Sequence, residues 1–139
     1  MFKHILLAVD GSEHAWRATE VAAELARSTK AELRVIVVYD PVPLYLGEPN
    51  LQSAINARLS EAQGILDKAV EIVGEIPAEI HTGIVEGNSA EAIIEVAKTR
   101  ECDLIVMGSR GLGRLAGLVL GSTSQKVVSH APCPVLIVR

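Results

Sequence analysis

The sequence predicts an α/β fold in which five parallel strands form an open, doubly wound sheet with helices on both faces. Five short apolar runs alternate with longer segments whose apolar residues recur every three or four positions, which is the helical period. Strands that alternate with helices require parallel pairing through right-handed crossovers, so the helices cover both sides of the sheet. At 139 residues the chain has the usual size of one domain, and we expect residues 1–139 to fold as one.

The composition argues against several classes of function. Apolar residues make up 49% of the chain but include only one Trp, two Tyr and one Phe, so the core must be aliphatic. The net charge of −4 argues against a general binder of nucleic acid or of anionic membranes. No apolar run approaches the roughly 18 residues that cross a bilayer, and the first residues do not form a signal peptide. Because Cys102 and Cys133 lack metal-binding spacing, we expect reduced, mostly buried thiols. These features predict a cytoplasmic protein without membrane insertion.

The first 50 residues predict two strands, a helix between them and a long loop. Residues 4–9 form a short apolar run that ends at the turn sequence Asp10-Gly11-Ser12, and Ser12 can cap the helix that follows. Residues 32–39 are β-branched and nearly continuous, which is typical of a strand covered on both faces. Residues 40–50 carry three prolines and predict an irregular connection. This connection is either a flap beside a site or a surface loop packed onto the domain.

The middle of the chain predicts a long helix, a weaker strand and a second, shorter helix. Apolar residues in 51–74 follow the helical period, and Pro77 enforces the break after them. Residues 79–85 predict a strand, on which His81 is expected to be a partly exposed residue rather than a catalytic base. Asn88 and Glu91 form a capping-box pair at the start of the next helix.

The last 37 residues of the chain, 103–139, predict a strand, a glycine-rich loop, a helix and a final strand. The strand covers residues 103–107, the helix covers residues 121–130 with Val127 and Val128 facing inward, and the last strand covers residues 134–138. From residue 104 onward there is no Asp or Glu, whereas four side chains are positively charged. Such a segment in an acidic chain leaves room for an anion.

The segment 104–123, LIVMGSRGLGRLAGLVLGST, predicts a phosphate site. A strand that runs into glycines and then into a helix N-terminus presents backbone N–H groups, and the helix dipole favours negative charge. Gly108 and Gly111 would let the backbone approach a phosphate, while Gly121-Ser122-Thr123 opens the helix with two hydroxyls. Arg110 and Arg114 could add positive charge. In a doubly wound sheet the carboxyl ends of the strands share one edge, so Asp10-Gly11-Ser12 and residues 38–40 should lie near this loop.

Three better-known motifs are absent. A Walker A loop needs a Gly-Lys-Ser/Thr ending, and no such tripeptide occurs. Residues 111–116 match the letters of a dinucleotide fingerprint, but the acid that should follow about 20 residues later is missing. There is no G-x-S-x-G elbow, and the four His have no evident nucleophile partner.

The glycine spacing resembles that of a known family. Gly108-x2-Gly111-x9-Gly121-Ser122 is similar to the G-2x-G-9x-G(S/T) pattern of the ATP-binding branch of the universal stress protein family. The stretches ILLAVDGSEHA at the start and DLIVMGSRGLGRLAGLVLGSTSQKVVSHAPCPVLIVR at the end agree with it, as does the element order. The resemblance covers the full chain. It implies a Rossmann-like, adenine-nucleotide-binding domain that forms a homodimer through the last strand, residues 134–139.

The resemblance also implies a set of site residues. Asp10 would approach the ribose or a phosphate-bound metal ion, Mg²⁺ or Mn²⁺, although Asp-Gly-Ser after a strand is also an ordinary turn. Ala8, Val9 and Met107 would line the site, with the backbone of Ala8 and Val9 near the base, and Val38 would lie beside the adenine. The phosphates would be held from two sides by Gly108, Ser109, Arg110, Gly111, Gly121, Ser122 and Thr123. Thr123 is a mild departure, since many relatives carry Val there.

The function implied is ATP binding with a regulatory or stress-response role. No residue is placed by the sequence as a general base for water, so at most slow ATP hydrolysis is expected and no catalytic residue is assigned. An alternative is an ATP-dependent hydrolase or nucleotidyl transferase on the same fold. It would need an acidic metal cluster or a pyrophosphatase-type loop after the first strand, and Asp10-Gly11-Ser12-Glu13 is a poor version of that loop. A third possibility is a structural dimer whose nucleotide site is vestigial. The intact glycine spacing argues against it.

Overall fold

The computed structural model describes residues 1–109 and 120–139. Arg110, Gly111 and Arg114, for which the sequence predicts contacts with phosphate, lie outside these described residues.

The described elements alternate between strands and helices, as the sequence predicts. In chain order they are β1 (His4–Ala8), α1 (Glu13–Thr29), β2 (Glu32–Tyr39), a 3-10 helix (Leu44–Leu46), α2 (Asn50–Val73), β3 (Ile80–Glu86), α3 (Ser89–Thr99), β4 (Leu104–Gly108), α4 (Ser122–His130) and β5 (Val135–Val138).

All five strands pair in parallel in one sheet, in the order β3-β2-β1-β4-β5. From β1 the chain moves outward through β2 to β3, and it then returns to the other side of β1 to add β4 and β5. The direction of winding therefore reverses between β1 and β4, which is the switch point of a doubly wound sheet. The predicted fold class is confirmed.

Alternating side chains of the central strands fill two separate cores. Ile5 and Leu7 of β1 pack with α1 and α2 on one face, whereas Leu6 packs with α3 and α4 on the other. On the first face α1 contributes alanines, which let the helix lie close to the strands. Burial on both faces explains why these strands read as continuous apolar runs.

Both predicted helix caps form. The Ser12 hydroxyl oxygen accepts a hydrogen bond from the backbone N–H of Ala15 at 3.2 Å. The side-chain oxygen of Asn88 accepts one from the N–H of Glu91 at 3.1 Å. Each cap satisfies an N–H group that has no partner inside its own helix.

Two details of the sequence-based prediction were wrong. Val127 is fully buried, but Val128 is 49% exposed, because it lies about 100° further round this helix and points away from the sheet. Residues 40–50 contain the 3-10 helix Leu44–Leu46 and are therefore not wholly irregular. Leu44 and Tyr45 are 83% and 87% exposed, so these apolar side chains are not packed onto the domain.

Within the described ranges, no helix combines the length and the apolar character that crossing a bilayer requires.

Candidate nucleotide-binding site

A pocket of about 420 Å³ lies at the carboxyl edge of the sheet, at the switch point between β1 and β4. The ends of β1, β2 and β4 and the first turns of α1, α3 and α4 border it. The volume falls within the roughly 300–1,000 Å³ typical of small-molecule sites. Fifteen residues line it: Ala8, Val9, Asp10, Ser12, Ala15, Val38, Asp40, Ser89, Ile93, Met107, Gly108, Gly121, Ser122, Thr123 and Ser124.

One side of the pocket is apolar. Val38 at the end of β2 and Ile93 on α3 face it, together with Met107 on β4. Val9 is 3% exposed, and its backbone N–H already donates to the carbonyl of Ile36 at 3.0 Å. A flat apolar ligand group would fit against this side, and Val9 could offer such a group its carbonyl but not its N–H.

A tight turn after β1 fixes the carboxylate of Asp10. Its Oδ1 accepts hydrogen bonds from the backbone N–H of Ser12 at 3.0 Å and from the Ser12 hydroxyl at 2.6 Å. Between them Gly11 adopts a φ of +87°, a left-handed conformation that glycine tolerates and other residues rarely adopt. A carboxylate has about four acceptor positions. Asp10 can therefore keep this turn and still bind a metal ion through Oδ2.

Asp40 adds a second carboxylate to the same pocket. Among the described lining residues there is no Lys or Arg, so the described wall carries only negative formal charge. A phosphate placed here would need a divalent cation or positive charge from elsewhere. Oxygen ligands from carboxylates and phosphates are those that Mg²⁺ prefers, so the described residues fit such an ion.

The N-terminus of α4 also lines the pocket. The first hydrogen bond of this helix runs from the N–H of Gln125 to the carbonyl of Gly121, at 3.0 Å. The N–H groups of Ser122, Thr123 and Ser124 precede that bond and belong to the first turn, where the helix dipole is positive. Gly121 is the N-cap and has no side chain that could occupy these donors. Geometry of this kind binds anions.

Ser124 and Gly121 fasten α4 to the end of β4. The buried hydroxyl of Ser124 donates toward the carbonyls of Gly108 and Ser109, 3.0 Å from each. The N–H of Gly121 donates to the carbonyl of Ser109 at 2.7 Å. These contacts fix the helix N-terminus relative to the strand, which is what a preorganised site requires.

Ser109 is buried and forms its hydrogen bonds inside the protein. It is 1% exposed, its hydroxyl lies 2.6 Å from Nδ1 of the buried His14, and its N–H donates to Val138 at 2.7 Å. His14 therefore does have a hydroxyl partner, which the sequence did not reveal. Neither residue is among the described residues that line the pocket, and the pair connects α1 to the end of β4.

Gly108 is required for helix packing. A Cβ at this position would lie 2.8 Å from Cβ of His14, 2.9 Å from its carbonyl carbon and 3.0 Å from the N of Ala15. Two of these atoms belong to the backbone of α1, so they cannot move aside as a flexible side chain could. The sequence-based interpretation assigned this glycine to the approach of a phosphate. The structure adds a role in the close approach of α1 to β4, and Gly108 also lines the pocket.

The structure brings together nine of the ten predicted site residues that it describes, all but Ser109. Sequence reasoning placed Ser12 and Asp40 at this edge without assigning them to the site, and it missed four further lining residues, namely Ala15, Ser89, Ile93 and Ser124. A simple signal would have found two of these four. Ser89 and Ser124 lie at or near helix starts on the same edge.

The two cysteines lie outside this pocket and are free, as predicted. Cys102 is buried and Cys133 is partly buried. Burial raises the pKa of the Cys102 thiol to about 11, and the nearby Cys133 adds to the shift. Burial also raises the pKa of Cys133. Both thiols are therefore protonated and poorly reactive at neutral pH.

The fold and the pocket define a class, doubly wound α/β proteins with a ligand pocket at the switch point of the sheet. Comparison with protein families is more specific, because the universal stress protein family matches residues 1–139. The chain belongs to the universal stress protein family.

Individual relatives agree over their full lengths. A universal stress protein from Thermus aquaticus, encoded in the 3' region of a QAH/OAS sulfhydrylase, is 50% identical over 139 residues, with 100% of both chains covered. The solved structure of universal stress protein UspA from Lactobacillus plantarum has a TM-score of 0.89 at 31% identity, and the match covers 99% of this chain and 98% of that one. A universal stress protein solved in complex with cAMP has a TM-score of 0.78 at 27% identity, covering 99% of this chain and 97% of its own.

Proposed function

We propose that this protein binds an adenine nucleotide, ATP with Mg²⁺ or Mn²⁺, in the carboxyl-edge pocket, and that it serves a regulatory or stress-response role in the cytoplasm. The observation that carries the proposal is that two groups line the same pocket at the switch point. One is the first turn of α4 with its N–H donors, and the other is the turn-held carboxylate of Asp10. The cAMP complex of a family relative supports an adenine nucleotide as the ligand class.

In this proposal each wall of the pocket has one task. The apolar side with Val38, Met107 and Ile93 receives the adenine, and the carbonyl of Val9 faces its edge. Ser122 and Thr123 bind phosphate oxygens through their N–H groups and hydroxyls, with Gly108, Arg110 and Gly111 near the phosphates on the other side. A Mg²⁺ or Mn²⁺ ion would be held by Asp10, with Asp40 nearby, and would neutralise charge between the carboxylates and the phosphates.

The first measurement is the absorption spectrum of the purified protein. With one Trp and two Tyr the chain absorbs weakly at 280 nm, so a co-purified nucleotide would visibly raise the 260 nm band. After the nucleotide is stripped, calorimetric titration with ATP, AMP, cAMP and GTP in Mg²⁺ ranks the ligands. We expect saturable binding of ATP and weaker binding of GTP.

Variants of the pocket test the assignment of residues. Asp10→Asn in Mg²⁺ should raise the Kd for ATP about tenfold or more, since interactions of charged groups contribute about 1.5–3 kcal/mol. Asp67→Asn is the matched control, because Asp67 is an exposed carboxylate on α2. Gly111→Val and Gly121→Ala should also weaken binding. If both glycine variants bind ATP as tightly as the unaltered protein, the phosphate assignment is wrong.

Turnover separates this proposal from an ATP-dependent enzyme. Multiple-turnover release of phosphate in Mg²⁺ at enzyme-like rates, lost in Asp10→Asn, would favour a hydrolase or transferase. We expect no such turnover, because the pocket's described residues include no imidazole or amine that could act as a base near neutral pH.

We further propose that the protein is a homodimer that pairs through residues 134–139. The last strand, β5, ends the sheet and pairs with β4 on one side, and Leu136 is 36% exposed. Light scattering after size exclusion should give a dimer that Leu136→Asp converts to a monomer. Leu59→Asp is the control, since Leu59 on α2 is 38% exposed and lies away from this strand. A dimer that persists in Leu136→Asp would contradict the assignment of the interface.

A further inference from the structure

A cluster of imidazole and carboxylate groups lies at the amino edge of the sheet, opposite the pocket. His81 Nε2 lies 3.5 Å from Glu32 Oε1 and 3.5 Å from Glu79 Oε2. One ligand atom from each of these three residues lies within 4.8 Å of those of the other two. His4 Nδ1 lies 2.8 Å from the second carboxylate oxygen of Glu32. The cluster uses none of the residues that line the carboxyl-edge pocket.

The strand register holds these side chains together. His4 at the start of β1 is the register partner of Glu32 at the start of β2. Leu33 and Arg34 of β2 pair with Ile80 and His81 of β3, so His81 lies one strand away from Glu32. The N–H of Leu33 donates to the carbonyl of Glu79 at 3.0 Å, which fixes the backbone that carries the third group. The cluster therefore lies at the starts of three paired strands, and the sheet itself sets the positions of its residues.

The separations suit coordination better than direct hydrogen bonding. An N–H···O bond usually measures about 2.7–3.2 Å, which is shorter than both contacts of His81. In a tetrahedral zinc site with bonds of about 2.0–2.2 Å, two ligand atoms lie about 3.4 Å apart. The two contacts of His81 are thus near the spacing that a shared metal ion would impose, and the ligand oxygens of Glu32 and Glu79 lie within 4.8 Å of each other.

A cavity beside the cluster supplies space for a small ligand. It has a volume of about 30 Å³ and is lined by His4, Ile5, Glu32, Arg34, His81, Arg100 and Cys102. One water molecule takes up about 30 Å³ in the liquid, so the cavity has the scale of a single water or hydrated ligand position. The side chains of His81 and Glu32 are 35% and 36% exposed, so an ion can reach them without opening the fold.

The donor set indicates which ion would bind. Imidazole nitrogen suits zinc and its first-row neighbours, whereas Mg²⁺ and Ca²⁺ prefer oxygen ligands alone. Arg34 and Arg100 border the cavity together with Glu32 and bring positive charge to the same place as its carboxylate. The positive charge of these arginines reduces the electrostatic attraction for a hydrated hard cation. Binding must therefore depend on direct bonds from the metal ion to the imidazole and the carboxylates.

We propose that His81, Glu32 and Glu79 bind a divalent first-row transition metal ion of the zinc type, with His4 orienting the carboxylate of Glu32. Three protein ligands leave the fourth tetrahedral position for water or a ligand atom from another molecule. The contact from His4 is of the kind that holds a ligating carboxylate in place.

Cobalt titration of the full, metal-free chain tests this site, because Co²⁺ adopts the geometry of zinc and is visible by absorption. The titration is done in Asp10→Asn and repeated in Asp10→Asn with Asp40→Asn, so that both carboxylates of the carboxyl-edge pocket are removed. We expect one Co²⁺ per chain, displaced by Zn²⁺ and not by Mg²⁺. His81→Ala should weaken binding more than tenfold, and His4→Ala by about tenfold, as is typical for residues that orient ligands.

Matched controls keep the result interpretable. His130→Ala removes an exposed histidine from α4 and should leave Co²⁺ affinity unchanged. Glu79 is 77% exposed, so Glu79→Gln should fold normally and still weaken binding, whereas Glu95→Gln on α3 should not. Circular dichroism verifies the fold of each variant.

Three results would overturn the site. The first is the absence of Co²⁺ binding at millimolar metal. The second is equal affinity in His81→Ala, Glu79→Gln and the parent. The third is loss of binding in Cys102→Ser together with a thiolate-to-cobalt absorption band, which would place the ion on the cysteine.

Discussion

The two edges of the sheet use their polar groups in different ways. At the carboxyl edge the pocket is built from backbone turns, glycines and short hydroxyl side chains, with Asp10 held at 2.6 Å by Ser12. At the amino edge the polar groups are long side chains. His81 lies 3.5 Å from both Glu32 and Glu79, and all three side chains are partly or largely exposed. The first edge is defined largely by the backbone, and the second by side chains.

The direction of the parallel strands produces this difference. Helices α1, α3 and α4 start at the carboxyl edge, so their N–H groups and positive dipole ends converge there. The helix C-termini lead back to the amino edge, where the negative dipole ends favour cations. The backbone of a doubly wound sheet therefore favours anions at the carboxyl edge and cations at the amino edge, whatever the side chains are.

The largest effect should come from the contact between the carboxyl edge and α1. Gly108→Ala should lower the free energy of unfolding by about 1–3 kcal/mol or more, because the new Cβ meets backbone atoms of α1 at 2.9–3.0 Å. Gly64→Ala is the control, since Gly64 is in α2 and a Cβ added there would meet no atom within 4 Å. That variant should gain about 0.5–1 kcal/mol from helix propensity. Urea unfolding measures both, and a neutral Gly108→Ala would show that α1 can move away.

Substitution of one helix cap inside the nucleotide pocket and one outside it should distinguish effects on the free energy of unfolding from effects on ATP binding. Ser12→Ala and Asn88→Ala should each lower the free energy of unfolding by about 1 kcal/mol, which is typical of a lost N-cap. Ser12→Ala should also weaken ATP binding, because Asp10 loses the hydroxyl that holds its carboxylate. Asn88 does not line the pocket, so Asn88→Ala should leave the Kd unchanged. Equal effects of the two variants on the Kd would argue against a positioning role for Ser12.

The buried thiol near the amino edge should make stability fall at high pH. The pKa of Cys102 is about 11 in the folded chain against an ordinary value of 9.0, so the folded state holds the proton more tightly. Between these values the unfolded chain ionises and the folded chain does not, and stability decreases as pH rises. The loss should reach about 1 kcal/mol near pH 9.5. Chemical unfolding across this range should show a shallower decline for Cys102→Ala, and identical slopes would contradict the assignment.

The smallest effect should come from the amino-edge cluster without metal. Glu79→Gln in the presence of a chelator should change the free energy of unfolding by less than about 0.5 kcal/mol, since exposed ion pairs contribute about 0–1 kcal/mol. Added Zn²⁺ should raise the melting temperature of the parent and not that of Glu79→Gln, because an ion that binds the folded state stabilises it. A melting temperature that Zn²⁺ leaves unchanged in the parent would count against the metal site.

Much of the carboxyl-edge pocket could be predicted because its parts are local in sequence. Asp10-Gly11-Ser12 follows a strand, and Gly121-Ser122-Thr123 begins a helix, so the conformation of each segment can be predicted from its own residues. The rule that parallel strands share a carboxyl edge then brings the pieces together. The same rule placed Asp40 at this edge, whereas Ser89 was missed because it does not belong to a recognisable phosphate-binding motif.

The sequence by itself determined the alternation of strands and helices, the aliphatic core and the helix start that faces the pocket. These depend on periodicity, turn residues and caps, which act over a few neighbouring positions. The tertiary structure decided why Gly108 must be glycine, why Ser109 turns inward to His14, and which histidine meets Glu32 and Glu79. Each of these depends on residues from elements far apart in the chain, and strand order and register decide which of them meet.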